Sequence, residues 1–261
     1  MLSNSKVHEY KAGKPVWSCC WDSKDRNIIY AGLSNGSFMQ FDLRHTTDAL
    51  STMENTTSRC PVVSLYHVPP TASDKFQGRG GLFSGTLNGA CFWQDITAPV
   101  DGSPSLISNF KPTFLPLEPG SSTGLCYNPS TNHCLVTFRP GCSYRRTTHL
   151  LGELQSIVVG DNEPRIICNV VESFYGGQTH KMLTRNALHV LPSNGGNEVL
   201  VACVGDEPNK RVQIYDANRN KLMQSLPCES GPALDILPVQ ISDKQILAAL
   251  TETTLKIFSL G

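Results

Sequence analysis

Charged side chains are scarce in this sequence. Asp, Glu, Lys and Arg make up 17% of its 261 residues, against about 25% in an average soluble domain. The 22 basic and 22 acidic side chains also cancel to a net charge of zero. A neutral chain lacks the broad positive surface that binds nucleic-acid phosphates. Direct binding of single-stranded nucleic acid is therefore poorly supported, although a local basic patch is compatible with these numbers.

Long apolar runs are absent as well. The start, MLSNSKVHEYK, has no apolar core of signal-peptide length, and no apolar run approaches the roughly 18 residues of a membrane span. The ten cysteines include no Cys-x-x-Cys pair, so neither a zinc site nor a redox motif is indicated. We expect small core cysteines in a reducing compartment, and an intracellular chain that does not contact membranes.

Sequence motifs of catalysis are missing too. There is no Gly-x-Ser-x-Gly, His-Glu-x-x-His or phosphate-loop pattern. His133 and Cys134 are adjacent, so along a strand they face opposite sides and cannot form a nucleophile–base pair. We therefore predict no catalytic residue, no metal ligand, no cofactor and no small-molecule ligand in this chain.

Glycine (21 residues) and proline (17 residues) are plentiful, as in turn-rich β proteins. The clearest stretch runs from residue 15 to 44 and contains three strand-like runs, VWSCCW, IIYAGL and SFMQFDL. The second gap carries Asn35-Gly36, which is typical of a type I′ hairpin turn. A similar segment, GTLNGACFWQDI, carries Asn88-Gly89. We assign these four residues structural roles in turns.

This pattern returns at a period of about 40–55 residues, which predicts an all-β propeller. We expect one domain over residues 1–261, with five blades. Their approximate bounds are 15–56, 61–117, 123–175, 180–227 and 232–261. Residues 6–10 are predicted as an outer strand, which either closes the fifth blade or ends an upstream blade.

Three tryptophans interrupt the apolar runs, at Trp17, Trp21 and Trp93. We interpret them as core residues that pack blade against blade, and not as platforms for a ligand.

One loop is a candidate binding surface, the segment RPGCSYRR between the second and third strands of the third blade. Arginine and tyrosine are enriched at interface anchors. Links between blades should lie on the same face of a propeller as this loop. The partner-binding candidates are Arg139, Tyr144, Arg145 and Arg146 in the loop, and Lys14, Arg59 and Lys181 on the links. Ordinary solvated loop charge is the competing interpretation.

Several runs are not generic propeller motifs: AGKPVWSCCW, YAGLSNGS, RCPVVSL, LPLEPG, HCLVTFRP, KMLTRNAL, LDILP and LAALTE. In these runs the chain resembles a family of RING-finger and WD-repeat ubiquitin ligases linked to Fanconi anaemia. The resemblance implies the carboxy-terminal WD-repeat propeller of about seven blades, of which this chain would be the last five. The chain departs from regular WD repeats because it has no Gly-His pair, and its Trp21-Asp22 follows a first strand.

The resemblance also implies a function. The expected role is partner recruitment for a nuclear, partly cytoplasmic, RING-type E3 ubiquitin ligase in the DNA damage response and in replication-fork and interstrand crosslink repair. Replication protein A is the implied partner, and the strand-exchange recombinase and p53 are implied substrates of the whole ligase. The RING finger is not in this sequence, so whether the chain counts as an enzyme stays open. The alternative is a non-catalytic WD-repeat scaffold for a different protein partner.

Overall fold

The computed structural model describes residues 8–54, 59–70, 80–97, 109–115, 117, 120–157, 165–192, 198–242 and 244–260. Across these ranges the chain forms nineteen β-strands and no helix. Accordingly, the described part of the chain has no helix that is long and apolar enough to cross a membrane.

Five antiparallel sheets follow one another along the chain. The first contains β1 (Val16–Trp21), β2 (Ile28–Leu33), β3 (Phe38–Asp42) and β4 (Ser51–Met53). The second contains β5 (Val62–Val68), β6 (Gly81–Thr86), β7 (Gly89–Asp95) and β8 (Phe110–Phe114). The third contains β9 (Ser122–Asn128), β10 (His133–Phe138), β11 (Thr148–Ile157) and β12 (Arg165–Tyr175).

The fourth sheet contains β13 (Ala187–Pro192), β14 (Glu198–Asp206), β15 (Arg211–Asp216) and β16 (Lys221–Pro227). The fifth contains β17 (Asp235–Ile241), β18 (Lys244–Leu250) and β19 (Leu255–Leu260). The first strands of successive sheets, β1, β5, β9, β13 and β17, pack side by side. They line a central channel of about 620 Å³. The predicted all-β propeller with five blades is confirmed.

Two hairpin turns differ from the predicted geometry. A type I′ turn needs positive φ at both central residues, but only Gly36 (φ 86°) and Gly89 (φ 126°) have it, and Asn35 and Asn88 do not. The amide of Leu33 donates to the carbonyl oxygen of Ser37 at 2.9 Å, so the first loop has three residues and ends on a left-handed glycine. The hairpins were predicted correctly, and the type I′ turn was wrong.

Aspartates close the third strands of three blades and start the turns that follow. The Oδ1 atom of Asp42 accepts a hydrogen bond from the amide of Arg44 at 2.8 Å. Asp95 and Asp216 accept equivalent bonds from the amides two residues later, at 2.8 and 2.9 Å. An aspartate side chain that bonds its own backbone two residues on forms an Asx turn. These aspartates are therefore structural.

An apolar cluster fills each of the four interfaces between neighbouring blades. Phe38 and Trp93 meet between blades one and two, and Phe83 faces Phe138 between blades two and three. Leu135 meets Leu200 between blades three and four. The last interface contains Val201, Cys203, Ile214, Ile236 and Leu247. Burial of this apolar surface, worth about 25 cal/mol per Å², holds the blades together.

The remaining face of blade one is open to solvent, and this corrects one prediction. Trp93 is buried as expected, but Trp17 and Trp21 are 46% and 56% exposed. Both lie on β1. The expectation that these two side chains pack blade against blade is therefore wrong, because the described residues leave about half of each side chain exposed.

Residues 8–10 belong to no strand, contrary to the predicted outer strand; residues 6 and 7 lie outside the described residues. The ring of Tyr10 packs on Phe41, with centroids 4.7 Å apart, and its hydroxyl donates to the carbonyl oxygen of Asp42 at 2.7 Å. The segment therefore covers part of the outward face of blade one. The sheet of blade five has three strands among the described residues.

The prediction that the cysteines are core residues is correct for half of them. All ten are free thiols, and five of them are buried in the blades: Cys91, Cys134, Cys168, Cys203 and Cys228. Burial raises the pKa of Cys203 to about 12, so this thiol is not nucleophilic at neutral pH. Cys19 and Cys142 are exposed.

Candidate functional site

The loop from Arg139 to Arg146 connects β10 to β11 in blade three, and backbone bonds tie it down at both ends. The amide of Arg139 donates to the carbonyl oxygen of Ser121 at 3.0 Å. After the loop, the amide of Thr147 donates to the carbonyl oxygen of Gly177 at 2.8 Å. A further bond inside the loop runs from the amide of Gly141 to the carbonyl oxygen of Tyr144, at 2.7 Å. The loop therefore presents its side chains from a fixed backbone.

Tyr144 is the central side chain of this loop. Its ring stacks on the buried ring of Phe138, with centroids 4.7 Å apart and planes 19° apart. Gly120 lies against the same pair, since a Cβ there would be 2.8 Å from Cε2 of Tyr144 and 3.0 Å from Cδ1 of Phe138. A larger residue at position 120 would displace the tyrosine. Packing therefore fixes Tyr144 as a wall between two clefts.

The outer cleft has a volume of about 570 Å³ and lies beside the outer strands of blade three. Its lining residues are Leu117, Ser143, Tyr144, Arg145, Arg146, Thr148, Leu150, Val170, Ser173 and Tyr175. The guanidinium of Arg146 lies 5.9 Å from the ring centroid of Tyr175, a cation–π distance. Such a volume falls within the roughly 300–1,000 Å³ of ordinary ligand pockets.

The inner cleft, about 550 Å³, lies on the other side of Tyr144, toward the turn between β6 and β7 of blade two. Its lining residues are Leu87, Asn88, Gly120, Ser121, Arg139, Pro140, Gly141, Cys142, Ser143 and Tyr144. One loop therefore contributes to both clefts, and Tyr144 borders both.

The loop is strongly basic. From residue 139 to 152 the sequence has three arginines and no aspartate or glutamate. Arg145 and Arg146 are exposed, and neither forms an ion pair with any residue in the described part of the chain. Two adjacent positive charges that pair with no described carboxylate are available to an acidic ligand.

A buried histidine lies near enough to Arg139 to respond to its charge. The Nε2 atom of His180 is 3.0 Å from Oγ1 of Thr123, and its Nδ1 atom is 3.7 Å from Oε2 of Glu207. Burial lowers the pKa of His180; Glu207 opposes this, and Arg139 adds to it. A neutral His180 adds no positive charge beside Arg139.

The structure brings together only part of the predicted site. Arg139, Tyr144, Arg145 and Arg146 surround the two clefts. The three link residues, Lys14, Arg59 and Lys181, are exposed and line neither cleft. The amide of Lys181 instead donates to Glu207 at 2.8 Å, within blade four.

Sequence reasoning missed the apolar part of the outer cleft. Leu150 and Val170 lie on the paired strands β11 and β12 of blade three, and Leu117 comes from the segment between blades two and three. An exposed Val170-Val171 pair in an outer strand is the nearest sequence signal, because a half-buried strand normally alternates apolar and polar residues.

A comparison with known protein families supports this propeller fold. A family model described as the WD40 domain of E3 ubiquitin-protein ligase RFWD3 matches residues 1–259. The chain belongs to the RFWD3 WD40-domain family.

Members of the RFWD3 family in two mammals share more than a third of their matched residues with the chain. It is 37% identical to E3 ubiquitin-protein ligase RFWD3 of Homo sapiens over 256 residues, and 38% identical to that of Ailuropoda melanoleuca over 258 residues. Each match covers 98% of this chain and 31% of the relative. The chain thus spans about a third of the length of these RFWD3 ligases.

A solved structure supports the fold of this RFWD3-family chain. The crystal structure of Sqt1 from Chaetomium thermophilum superposes with a TM-score of 0.57 and 14% sequence identity. The match covers 95% of this chain and 58% of that one. Identity this low shows a shared fold alone.

Proposed function

We propose that this chain is the partner-recruiting propeller of a nuclear RING-type E3 ubiquitin ligase that acts in DNA damage repair. The observation that carries the proposal is the match to the RFWD3 WD40 domain along nearly the whole chain. The relatives are named as E3 ubiquitin-protein ligases, and a propeller without a catalytic motif suits the recognition part of such an enzyme. Ubiquitin transfer would belong to another part of the protein.

The proposed partner is replication protein A, with the strand-exchange recombinase and p53 as substrates of the whole ligase. A basic loop with a fixed tyrosine supports a protein partner, because arginine and tyrosine are common anchors of interfaces. The neutral net charge argues against nucleic acid as the main ligand.

Calorimetric titration of replication protein A into this chain tests the proposal. We expect binding, and we expect Arg145→Glu/Arg146→Glu to weaken it by about tenfold, as loss of interface arginines commonly does. A matched control is Lys210→Glu/Arg211→Glu, which makes the same charge change where the second strand of blade four turns into the third. No binding by the unchanged chain would exclude this partner and favour a scaffold for another protein.

The open faces of blades one and five are part of the same proposal. Large apolar residues are exposed on both faces, among them Trp17 and Trp21 on blade one, and Leu237, Leu255 and Ile257 on blade five. We infer that in the longer ligase these faces pack against further blades of one propeller of about seven. A version extended upstream by about two repeats should therefore unfold at higher temperature than this chain. An unchanged melting temperature would contradict this inference.

A further inference from the structure

The outer cleft combines two properties that no single strand has. Its floor is apolar, made by Leu117, Leu150 and Val170, and its rim carries Arg145 and Arg146. Val170 is 49% exposed although it is a branched apolar residue. An apolar floor below positive charges that form no ion pair with a described residue suits a ligand with an apolar side chain and nearby negative charge.

A bulge in the outer strand shapes the floor. The register of β11 against β12 shifts between Leu151 and Gly152, and the shift leaves Val171 out of the pairing. Sγ of Cys168 fills the space above Gly152, so the glycine adds nothing to the cleft. Beside the bulge, Val170 lines the cleft together with Leu150, whereas Val171 does not.

The rim is pre-organised. Arg146 lies over the ring of Tyr175, and its carbonyl oxygen accepts a hydrogen bond from the hydroxyl of Thr148 at 3.0 Å. Tyr144 is stacked on Phe138. A ligand that meets fixed side chains loses less free energy to ordering than one that meets mobile side chains.

The geometry points to a short acidic peptide segment, with at least one large apolar side chain, as the ligand of the outer cleft. The apolar side chain lies on Leu117, Leu150 and Val170, and the carboxylates pair with Arg145 and Arg146. Charge complementarity is the reason for choosing an acidic segment, since residues 139–152 contain no carboxylate. This inference rests on the proposed recruiting function, and it names the chemistry of the recruited segment.

Selection of random linear peptides displayed on phage tests the inference without assuming a partner. The whole chain should enrich sequences that combine Asp or Glu with Leu, Ile, Phe or Met. A synthetic copy of the enriched peptide, labelled with fluorescein, is then titrated by anisotropy. Enrichment of basic or uncharged sequences, or of none, would overturn the inference.

Two variants locate the peptide, and each has a matched control. Arg145→Glu/Arg146→Glu should weaken the peptide by about tenfold or more, and Lys210→Glu/Arg211→Glu should leave it within about twofold. Val170→Asp should weaken it similarly, whereas Val171→Asp should not, because Val171 is equally exposed (52%) but does not line the cleft. Equal effects of Val170→Asp and Val171→Asp would overturn the placement.

Reversal of the charges on both the peptide and the protein tests directly whether the two form ion pairs. A peptide in which Lys replaces the acidic residues should bind the Arg145→Glu/Arg146→Glu protein better than the unchanged protein. Circular dichroism of the variants checks that the fold is intact. If replication protein A fails to bind while the acidic peptide binds this cleft, the proposed partner is wrong and the peptide site is retained. If replication protein A binds equally well to the cleft variants, the cleft is not where the partner is recruited, and the recruiting function is retained.

Discussion

The strands at the blade interfaces and those on the two open faces are alike in sequence but differ in environment. On β10 of blade three, Leu135 is fully buried. On β19 of blade five, Leu255 and Ile257 are 63% and 60% exposed, although Leu260 on the same strand is buried. Both strands are apolar on their two faces, as strands that pack on both sides are. Only the neighbouring blade makes the difference.

The largest expected difference in stability is between substitutions of two tryptophans, one at a blade interface and one on an open face. Trp93 is 2% exposed, and its Nε1 donates to the hydroxyl of Ser84 at 2.9 Å. Trp93→Ala should therefore lower the free energy of unfolding by about 3–5 kcal/mol. Trp21→Ala, on the open face, should change it by less than about 1 kcal/mol. Urea unfolding followed by circular dichroism measures both, and equal losses would mean that the open face is packed in solution.

Adding one methyl group inside blade three should have the next largest effect. A Cβ at Gly152 would lie 2.3 Å from Sγ of Cys168 and 3.3 Å from Sγ of Cys134. Gly152→Ala should therefore destabilise by up to about 3 kcal/mol, as overpacking does. At Gly141 a Cβ meets nothing within 4 Å, so Gly141→Ala is the control. Thermal melts that do not separate the two variants would contradict the close approach of Cys168 and Cys134 to Gly152.

Acid should weaken the interior of blade three through His149. Burial lowers its pKa to about 3, with a further contribution from His180, while an unfolded histidine titrates near about 6.5. The unfolded state therefore binds the proton first, and stability that is complete above about pH 6.5 is lost as the pH falls toward 3. At pH 5 the loss should be about 2 kcal/mol.

Substitution of His149 by Gln should remove most of this pH dependence of the unfolding free energy. The substitution also perturbs the hydrogen bond to Thr137, whose Oγ1 lies 2.9 Å from Nδ1 of His149. The informative quantity is the change in unfolding free energy between pH 7 and pH 5, measured for the chain and for the variant. Exposed His45 is the control position. An unchanged slope in His149→Gln would assign the acid sensitivity to other groups.

The smallest change in stability is expected on the open face of blade five. Leu255→Asp/Ile257→Asp should alter the free energy of unfolding by less than about 1 kcal/mol and should reduce self-association, since large exposed apolar patches promote it. Size-exclusion chromatography over a range of concentrations measures the second effect. Leu247→Asp, which places a single such charge inside the interface with blade four, should prevent folding. Loss of folding in the double variant as well would show that the open face is covered.

Sequence reasoning performed best where the information is local. Alternating apolar runs and Asn-Gly turns predicted the hairpins of blades one and two, because strand and turn preferences act over a few residues. The detailed turn type was wrong at Asn35, since a three-residue loop with one left-handed glycine closes the same hairpin. The exposure of Trp17 and Trp21 was missed, because strand alternation cannot show whether a neighbouring blade is present.

The residues of the candidate site also separate into those that local sequence predicted and those that it did not. Arg139, Tyr144, Arg145 and Arg146 were predicted from one contiguous loop, and they surround the two clefts. Lys14, Arg59 and Lys181 were also predicted and line neither cleft. Leu117, Leu150 and Val170 were not predicted, because they are distant in sequence and become neighbours only through strand pairing in blade three and through the placement of Leu117 beside that blade.

The sequence by itself determined the strand class, the number of blades and the basic loop of blade three. These follow from residue preferences and charges that act over a few neighbouring positions. The tertiary structure decided which apolar faces are buried, which turn geometry closes each hairpin and which side chains form the outer cleft. These properties depend on contacts between segments far apart in the chain, and strand periodicity is the same whichever contacts form.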